Sequence, residues 1–283
     1  MSFKITECPR DAMQGLRAFI PTEIKVSYIN KLLEVGFDVL DCGSFVSPKA
    51  IPQMADSGEV ISKLQKGENQ TRLSVVVANV RGAEDACKHD NIDIIGYPFS
   101  ISETFQLKNT NATIEESLKR VERILKLCCE AGKTPLLYIS MAFGNPYHDK
   151  WDERIAAEWV DKLAQKGVTR FSMADTVGVA SPEAIARVFG QLTLQYPYLE
   201  FSAHLHTHAE NWRVKIEAAF ENGCQHFESA MLGFGGCPMA GDELTGNLST
   251  ELLVGFLIEK GVKINLSQTH FDQAKTAARQ LFS

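Results

Sequence analysis

The sequence predicts an α/β fold, a single (β/α)8 TIM barrel that spans residues 1–283. Strand-like runs alternate with helical patterns along the chain, which indicates a parallel sheet. About eight such strand–helix units fit this length, which is typical of a (β/α)8 barrel. Because no low-complexity linker or change in composition divides the chain, we expect one catalytic domain with active-site loops at the carboxyl ends of the strands.

The predicted strands are short apolar or β-branched runs that end at polar residues, Gly or Pro. The clearest is the run Leu73–Ala78, which ends before Asn79. The seventh strand begins at Leu199 and carries His204 and His206. Together the predicted strands cover 3–8, 37–42, 73–78, 92–96, 135–141, 168–174, the run from 199, and 225–229.

The predicted helices follow the strands and show apolar residues at helical spacing between recognisable caps. One begins at Thr22 and ends at Gly36, and the longest has a capping box formed by Thr113 and Glu116. Pro182 begins another at its first turn. The remaining helices cover 56–64, 82–89, 152–165, 211–222, 250–260 and 268–281, and the segment before Thr113 is predicted as a loop.

A doubly wound sheet is the alternative fold for alternating strands and helices. It would usually carry a glycine-rich phosphate-binding turn after the first strand. Pro9-Arg10-Asp11 stands at that position and contains no glycine. The barrel is therefore favoured.

Composition narrows the class of protein. The net charge of −6 argues against a nucleic-acid partner and against an anionic membrane surface. The seven cysteines are scattered and form no Cys-x-x-Cys pair, which is typical of reduced thiols in a cytoplasmic protein. No apolar run is long enough to span a membrane, and the first strand begins too early for a signal peptide.

Polar residues recur at the predicted carboxyl ends of the strands, where the active site of such a barrel lies. His204 and His206 point the same way because side chains alternate along a strand. With a carboxylate and an amide oxygen they form a mixed set suited to Mg²⁺ or Mn²⁺, and two histidines also allow Zn²⁺ or Co²⁺. The strand-end residues are Arg10, Asp11, Asp41, Asn79, Asp175, His204 and His206, with Asn247 beyond the last strand.

Six motifs make the chain resemble the hydroxymethylglutaryl-CoA lyase family of metal-dependent TIM-barrel enzymes, from Glu7 to about Leu257. The most specific are Ser44-Phe45-Val46-Ser47-Pro48-Lys49 with Pro52-Gln53-Met54, and the loop Gly233-Phe234-Gly235-Gly236-Cys237-Pro238. The others are Pro9-Arg10-Asp11-Ala12-Met13-Gln14, Ala174-Asp175-Thr176-Val177-Gly178, His204-Leu205-His206 and Gly246-Asn247-Leu248-Ser249-Thr250-Glu251.

The resemblance implies cleavage of 3-hydroxy-3-methylglutaryl-CoA to acetoacetate and acetyl-CoA, a reaction of leucine degradation and ketone-body formation. It implies that Arg10 polarises the substrate carbonyl and that Cys237 assists proton transfer. Asp11 or His204 would take the hydroxyl proton, and we favour Asp11. The implied metal ligands are Asp11, His204, His206 and Asn247, and the residues predicted to contact substrate are Arg10, Gln14, Arg17, Asp41 and Asn79.

Other interpretations of these residues stay open. Arg10 and Asp11 could form a simple ion pair, Cys237 could be an inert apolar side chain, and Asp175 is more readily an orienting residue or a helix cap than a catalytic one.

Four positions depart from the family pattern. Asp41 stands where the family usually has glutamate, so the side chain reaches about 1.5 Å less and could lose its contact or need a bridging water. Thr207 replaces a usual aspartate after the His-x-His pair. The segments Met141-Ala142-Phe143-Gly144-Asn145-Pro146 and Gly15-Leu16 also differ. These departures concern the choice among related 3-hydroxyacyl-CoA substrates more than the type of reaction.

Two other functions are compatible with such a barrel. One is an acyl-CoA Claisen-condensing synthase or aldolase of the same superfamily, and the other is a non-catalytic barrel that binds acyl-CoA or a metal. The lyase-like loop around Cys237 argues against the first, and the complete ligand set argues against the second. A homo-oligomer is a family-level expectation.

Overall fold

The computed structural model describes residues 3–67, 70–236 and 246–282. Cys237, the predicted proton donor, lies outside the described residues. Within the described part, the backbone alternates between strands and helices from the first strand to the last helix.

Eight parallel strands form a closed barrel, as the sequence predicts. Each strand pairs with its neighbours in chain order, and the barrel closes where the first strand pairs with the eighth. A two-residue strand, β9, pairs antiparallel with β7 and joins His206 to Asn247. The strands are β1 (Lys4–Glu7), β2 (Val39–Ser44), β3 (Arg72–Val76), β4 (Ile94–Ser100), β5 (Thr134–Ser140), β6 (Arg170–Asp175), β7 (Glu200–Thr207), β8 (His226–Ser229) and β9 (Gly246–Asn247).

The helices surround this barrel. The capping box of the longest helix is confirmed, since the Thr113 hydroxyl accepts the amide of Glu116 at 3.1 Å and the Glu116 carboxylate accepts the amide of Thr113 at 2.8 Å. The helices are α1 (Pro9–Gln14), α2 (Thr22–Val35), α3 (Ser57–Lys63), α4 (Val80–Cys87), α5 (Glu103–Thr110), α6 (Ile114–Glu130), α7 (Glu153–Ala164), α8 (Pro182–Gln195), α9 (Trp212–Glu221), α10 (Thr250–Glu259) and α11 (Gln268–Phe282).

Several short elements were not predicted from the sequence, among them two helices and one strand. The segment before Thr113, predicted as a loop, contains α5, which has little apolar periodicity and is capped by the Ser102 side chain on the amide of Phe105. Helix α1 directly follows β1 and has only six residues. Strand β9 has two residues, too few to show any alternation.

The main core lies between the strands and the surrounding helices. Leu73, Val75 and Val77 from the third strand region are fully buried there, as are Leu137 and Ile139 from β5. Near-continuous apolar runs of this kind are typical of strands covered on both faces. Polar and charged side chains are instead buried at the carboxyl ends of the strands, where the candidate site lies.

None of the helices in residues 3–67, 70–236 and 246–282 combines the length and the apolar character that a membrane span requires.

Candidate active site at the carboxyl ends of the strands

Arg10 is held by two carboxylates from neighbouring parts of the barrel. It is the second residue of α1, immediately after β1, and its Nε lies 3.1 Å from Asp41 Oδ2 on β2. Its Nη2 also donates to Asp41, and its Nη1 donates to Asp11 Oδ1 at 2.8 Å. Burial alone would lower the pKa of Arg10, but the two carboxylates raise it well above its ordinary value. The guanidinium is therefore a fixed positive charge.

Asp41 keeps a direct contact with Arg10 in spite of its shorter side chain. It lies within β2, at a β-bulge between residues 41 and 43 that shifts the register against β3. A bulge redirects side chains locally. Asp41 therefore reaches Arg10 directly, and the lost contact that the shorter side chain could have caused is not seen between these two residues.

Asp11 lies at the centre of the site. Its Oδ1 accepts the Gln14 side chain at 2.5 Å as well as Arg10, and its Oδ2 accepts Asn247 Nδ2 at 2.7 Å. Burial raises the pKa of Asp11, but the Arg10 charge followed by His204 and His206 brings it below its ordinary value. Asp11 is therefore ionised, a form that suits a metal ligand.

The two histidines of β7 differ in their surroundings. His204 Nδ1 lies 3.0 Å from Glu228 Oε2 on β8, so Nδ1 carries the proton and Nε2 is left as an acceptor. Burial lowers the pKa of His204, but the hydrogen bond and charge of Glu228 outweigh this and raise it. Burial, and then His204, lower the pKa of His206 to about 4, so His206 is neutral at physiological pH.

Asp11, His204 and His206 form a group of donors suited to a divalent metal ion. One ligand atom from each lies within 4.8 Å of the others. His204 Nε2 is 4.0 Å from Asp11 Oδ2, and His206 Nε2 is buried without a hydrogen-bond partner among the described residues. An unpaired buried nitrogen is costly, and a metal ion would satisfy it. These residues therefore fit the metal that the sequence predicts.

Asn247 also contacts the group formed by Asp11, His204 and His206. The contact is made by its amide nitrogen, which cannot bind a metal. Its Nδ2 donates to Asp11 Oδ2 and to the carbonyl of Phe234 at 2.9 Å. This arrangement leaves the amide oxygen as the atom that could bind a metal. The ladder between β7 and β9 sets Asn247 directly beside His206.

Cys8, His204 and Glu228 form a second group whose ligand atoms lie within 4.8 Å of one another. Burial, followed by the charges of nearby carboxylates, raises the pKa of Cys8 well above its ordinary value. A thiol must lose its proton to bind a metal, and Glu228 is already hydrogen-bonded to His204. The Asp11 group is therefore the better candidate.

The start of the glycine-rich loop is held by two acidic side chains. Glu7 on β1 accepts the backbone amide of Met231 at 2.8 Å, and Glu251 accepts that of Leu232 at 3.0 Å. Phe234 stacks on Phe282 of α11, with ring centroids 4.7 Å apart. The part of the loop that precedes Cys237 is thus fixed from the barrel, from α10 and from α11.

The structure does not bring every predicted residue to this site. Asn79 is exposed, and its side chain caps α4 by accepting the amide of Gly82 at 2.9 Å. It is a helix cap outside the Asp11 group, and its contact with substrate stays a prediction. Arg17 is exposed after α1, and among the described residues no hydrogen bond or ion pair joins it to the Asp11 group. Asp175 forms an ion pair with Lys215 at 2.7 Å and accepts the amide of Ala180, consistent with an orienting residue.

Three residues of the site were missed from the sequence. Glu228 orients His204, Lys215 pairs with Asp175, and the Tyr138 ring packs edge-on against His204 with centroids 6.0 Å apart. A carboxylate within a predicted strand and a lysine on the apolar face of a helix are weak signals that a buried partner exists. The identity of the partner cannot be read from the sequence, because the two residues of each pair meet only in the closed barrel.

The sequence of this chain is similar to those of known proteins over most of its length. Residues 4–277 match the model of the HMGL-like family. The chain is 35% identical to the mitochondrial hydroxymethylglutaryl-CoA lyase of Bos taurus, over 92% of this chain and 79% of that protein. It is 32% identical to the cytoplasmic 3-hydroxy-3-methylglutaryl-CoA lyase of Rattus norvegicus, over 92% of this chain and 75% of that protein.

Solved structures of HMG-CoA lyases are also similar to this chain. An HMG-CoA lyase from Acinetobacter baumannii, in complex with coenzyme A and 3-methylmalate, superimposes with a TM-score of 0.91 at 28% identity. The match covers 99% of this chain and 91% of that chain. The HMG-CoA lyase from Brucella melitensis superimposes with a TM-score of 0.89 at 29% identity. This match covers 98% of the Brucella chain.

Gly235→Ala is expected to disturb the metal site. A Cβ at this position would lie 2.6 Å from Asn247 Nδ2 and 2.6 Å from the carbonyl oxygen of Asp11, on a backbone with φ of +103°. The loop must move away, at a cost on the order of 1–3 kcal/mol for the strained backbone. Calorimetric titration with Mn²⁺ should show affinity reduced about tenfold or more.

Gly255→Ala on α10 is the matched control. A Cβ there meets no atom within 4 Å, so the substitution should leave Mn²⁺ affinity unchanged and raise stability by about 0.5–1 kcal/mol. If Gly235→Ala binds Mn²⁺ with wild-type affinity, the close packing of Gly235 against Asp11 and Asn247 is not needed for the metal site.

Glu228→Gln is expected to shift the pH dependence of metal binding. Of the three donors, His204 is the one whose pKa is raised, so its protonation should limit binding on the acid side. Glu228 is ionised, since burial raises its pKa but His204 lowers it further, to about 2. Removing this charge lowers the pKa of His204, so the acid limb of Mn²⁺ affinity should move to lower pH.

At pH 8 the same variant should bind Mn²⁺ about 10- to 100-fold more weakly, because the imidazole loses its orienting carboxylate. Glu200→Gln is the control, since Glu200 lies at the opposite end of β7 and pairs with Lys4 and Arg170. An acid limb that stays in place, or moves to higher pH, in Glu228→Gln would refute the assignment.

Proposed function

The chain belongs to the HMGL-like family, and we propose that it is a carbon–carbon lyase that cleaves 3-hydroxy-3-methylglutaryl-CoA to acetoacetate and acetyl-CoA. The observation that carries the proposal is the position of Arg10, fixed by Asp41 and Asp11, beside the donors His204 and His206. The relatives and structures reported above are lyases, so the condensing, aldolase and non-catalytic alternatives are not favoured.

Arg10 is suited to bind the thioester oxygen. A guanidinium has five N–H groups, and three of those on Arg10 are directed at Asp41 and Asp11. Two N–H groups are left for substrate. A donor fixed in this way needs no reorganisation when the oxygen gains negative charge as an enolate, which is the usual source of such electrostatic catalysis.

Asp11, His204, His206 and Asn247 are the residues that would hold a divalent metal ion, either Mg²⁺ or Mn²⁺. Their two nitrogens and two oxygens also suit Zn²⁺ or Co²⁺. When bound there, the ion would supply a Lewis acid that makes the substrate hydroxyl more acidic.

Asp11 stays the proposed acceptor of the hydroxyl proton. His204 has the higher pKa of the two, but its only free nitrogen, Nε2, is also its ligand atom, and it cannot serve in both roles at once. The low pKa of Asp11 makes it a weak base, so the transfer requires an acidified hydroxyl.

The reaction balances with one proton taken and one returned. The hydroxyl gives its proton to Asp11, the C–C bond breaks, and the electron pair passes to the departing acetyl-CoA enolate. We propose that the Cys237 thiol protonates the enolate carbon, as the resemblance of its loop implies. The anchored segment Met231–Phe234 supports this proposal, because it directs the chain past Asp11 and Asn247 immediately before Cys237.

Substrate choice is proposed at the level of 3-hydroxyacyl-CoA thioesters, with the 3-hydroxy-3-methylglutaryl thioester preferred. Gln14 donates to Asp11, which supports the proposal that it contacts substrate, whereas Asp41 is proposed to act through Arg10. Thr207 pairs with Gly246 in the ladder to β9. Because it stands where the family usually has an aspartate, it is the position that would distinguish this chain's substrate.

The remaining attributes stay predictions. Both mitochondrial and cytoplasmic relatives exist, and we propose the cytoplasmic location on the reduced thiols that the cysteine pattern predicts. A role in leucine degradation or ketone-body formation, a homo-oligomeric state and a single catalytic domain over all 283 residues are likewise proposed.

The function is tested by measuring acetyl-CoA and acetoacetate released from a panel of 3-hydroxyacyl-CoA thioesters. Equal amounts of both products are expected from the 3-hydroxy-3-methylglutaryl thioester. Chelation should abolish turnover, and Mg²⁺ or Mn²⁺ should restore it. His206→Ala should lose at least about a hundredfold in turnover, since it removes a metal ligand.

His270→Ala is the control for this assay, because His270 on α11 contacts Ser267 and lies outside the donor group. Consumption of acetyl-CoA with a 2-oxo acid would identify a synthase instead. Absence of both bound metal and turnover would identify a non-catalytic barrel.

Cys237→Ala should lower turnover by roughly 10²- to 10⁴-fold, the range for loss of a positioned proton donor, while Mn²⁺ affinity stays unchanged. The matched control is Cys129→Ala, which removes an exposed thiol on α6. Near-normal turnover in Cys237→Ala would contradict its role without affecting the metal site.

A further inference from the structure

Lys215 is a buried lysine behind the candidate metal site. It lies on α9, and its side chain is only 2% exposed. Its ammonium donates to Asp175 Oδ2 at 2.7 Å, to the carbonyl of Gly178 at 2.9 Å and to the carbonyl of His206 at 2.9 Å. All three N–H groups of the ammonium are thereby used.

These three acceptors connect two adjacent strand ends. Asp175 is the last residue of β6, Gly178 lies in the turn after it, and His206 lies near the end of β7. The backbone of Thr176, between the first two acceptors, hydrogen-bonds the His206 imidazole. Lys215 therefore holds His206 directly at its carbonyl and also holds the turn that contacts its ring.

Packing alone does not explain a lysine at this position. Removing an ammonium and a carboxylate from water is costly, and an apolar pair of similar volume often gives equal or greater stability. One of the three contacts of Lys215 is to the carbonyl of His206, whose Nε2 has no protein partner among the described residues. An imidazole with one free nitrogen requires its orientation to be fixed from elsewhere.

We propose that Lys215 is a positioning residue that fixes His206 for divalent-metal binding by tying the end of β7 to the turn after β6. The inference rests on the proposed function, because it takes His206 as a metal ligand. In this proposal Lys215 contacts neither metal nor substrate, but it determines the orientation of one metal ligand, His206.

Lys25 provides a matched control within the same chain. It lies on α2, its side chain is also 2% exposed, and its ammonium pairs with Asp56 Oδ1 at 2.6 Å and donates to the carbonyl of Gln53. It therefore forms the same kind of buried ion pair but has no contact with Asp11, His204 or His206. Loss of either lysine should cost stability, whereas only loss of Lys215 should affect the metal.

The test compares Mn²⁺ affinity, by calorimetry, and thermal stability in the wild type, Lys215→Met and Lys25→Met. Both variants should melt at a lower temperature than the wild type. Lys215→Met should bind Mn²⁺ about 10- to 100-fold more weakly, the effect typical of losing a partner that orients a ligand. Lys25→Met should bind Mn²⁺ with wild-type affinity.

A double variant, Lys215→Met with Asp175→Asn, separates positioning from charge compensation. It removes the unpaired carboxylate, so it should melt above the single variant and remains testable if Lys215→Met does not fold. Weak Mn²⁺ affinity in the double variant supports positioning. Wild-type affinity in it, or equal affinities in Lys215→Met and Lys25→Met, overturns the inference while the proposed function stands. If the wild type itself binds no Mn²⁺, the metal site proposed above fails and this inference fails with it.

Discussion

The site depends on a buried row of ionisable side chains across the carboxyl ends of the barrel strands. Asp41, Arg10, Asp11, His204 and Glu228 follow one another from β2 through the β1 end to β7 and β8, each in contact with or close to the next. An unpaired charge at any of these buried positions would be severely destabilising. Each group therefore fixes both the place and the ionisation state of its neighbours.

This row explains the chemistry available to the protein. Arg10 is charged because two carboxylates require it, and Asp11 is ionised because Arg10 is there. Glu228 sets which nitrogen of His204 is free. Barrel closure is what assembles the row, since Asp11 and Asn247 lie 236 residues apart in the chain and meet only when β1, β8 and β7 pair. Lys215 adds a second buried charge pair on the outer side of β7, behind His206.

Much of the fold was predictable from the sequence, because parallel strands buried on both faces and capped amphipathic helices leave strong local patterns. The residues at the strand ends were predictable for the same reason. Short elements such as α5 and β9, and the helix-cap role of Asn79, were not, because they depend on few residues and on local hydrogen bonds. Glu228 and Lys215 were missed because a buried charge is explained only by its partner, and each partner is distant in the sequence.

The central claim is that Asp11, His204 and His206 converge on one divalent metal ion. Anomalous diffraction at the manganese edge, from crystals grown with Mn²⁺, tests it most directly. The account predicts one strong peak roughly 2.0–2.3 Å from Asp11 Oδ2, His204 Nε2 and His206 Nε2. A peak among Cys8, His204 Nδ1 and Glu228, or no peak at the carboxyl ends of the strands, would contradict it.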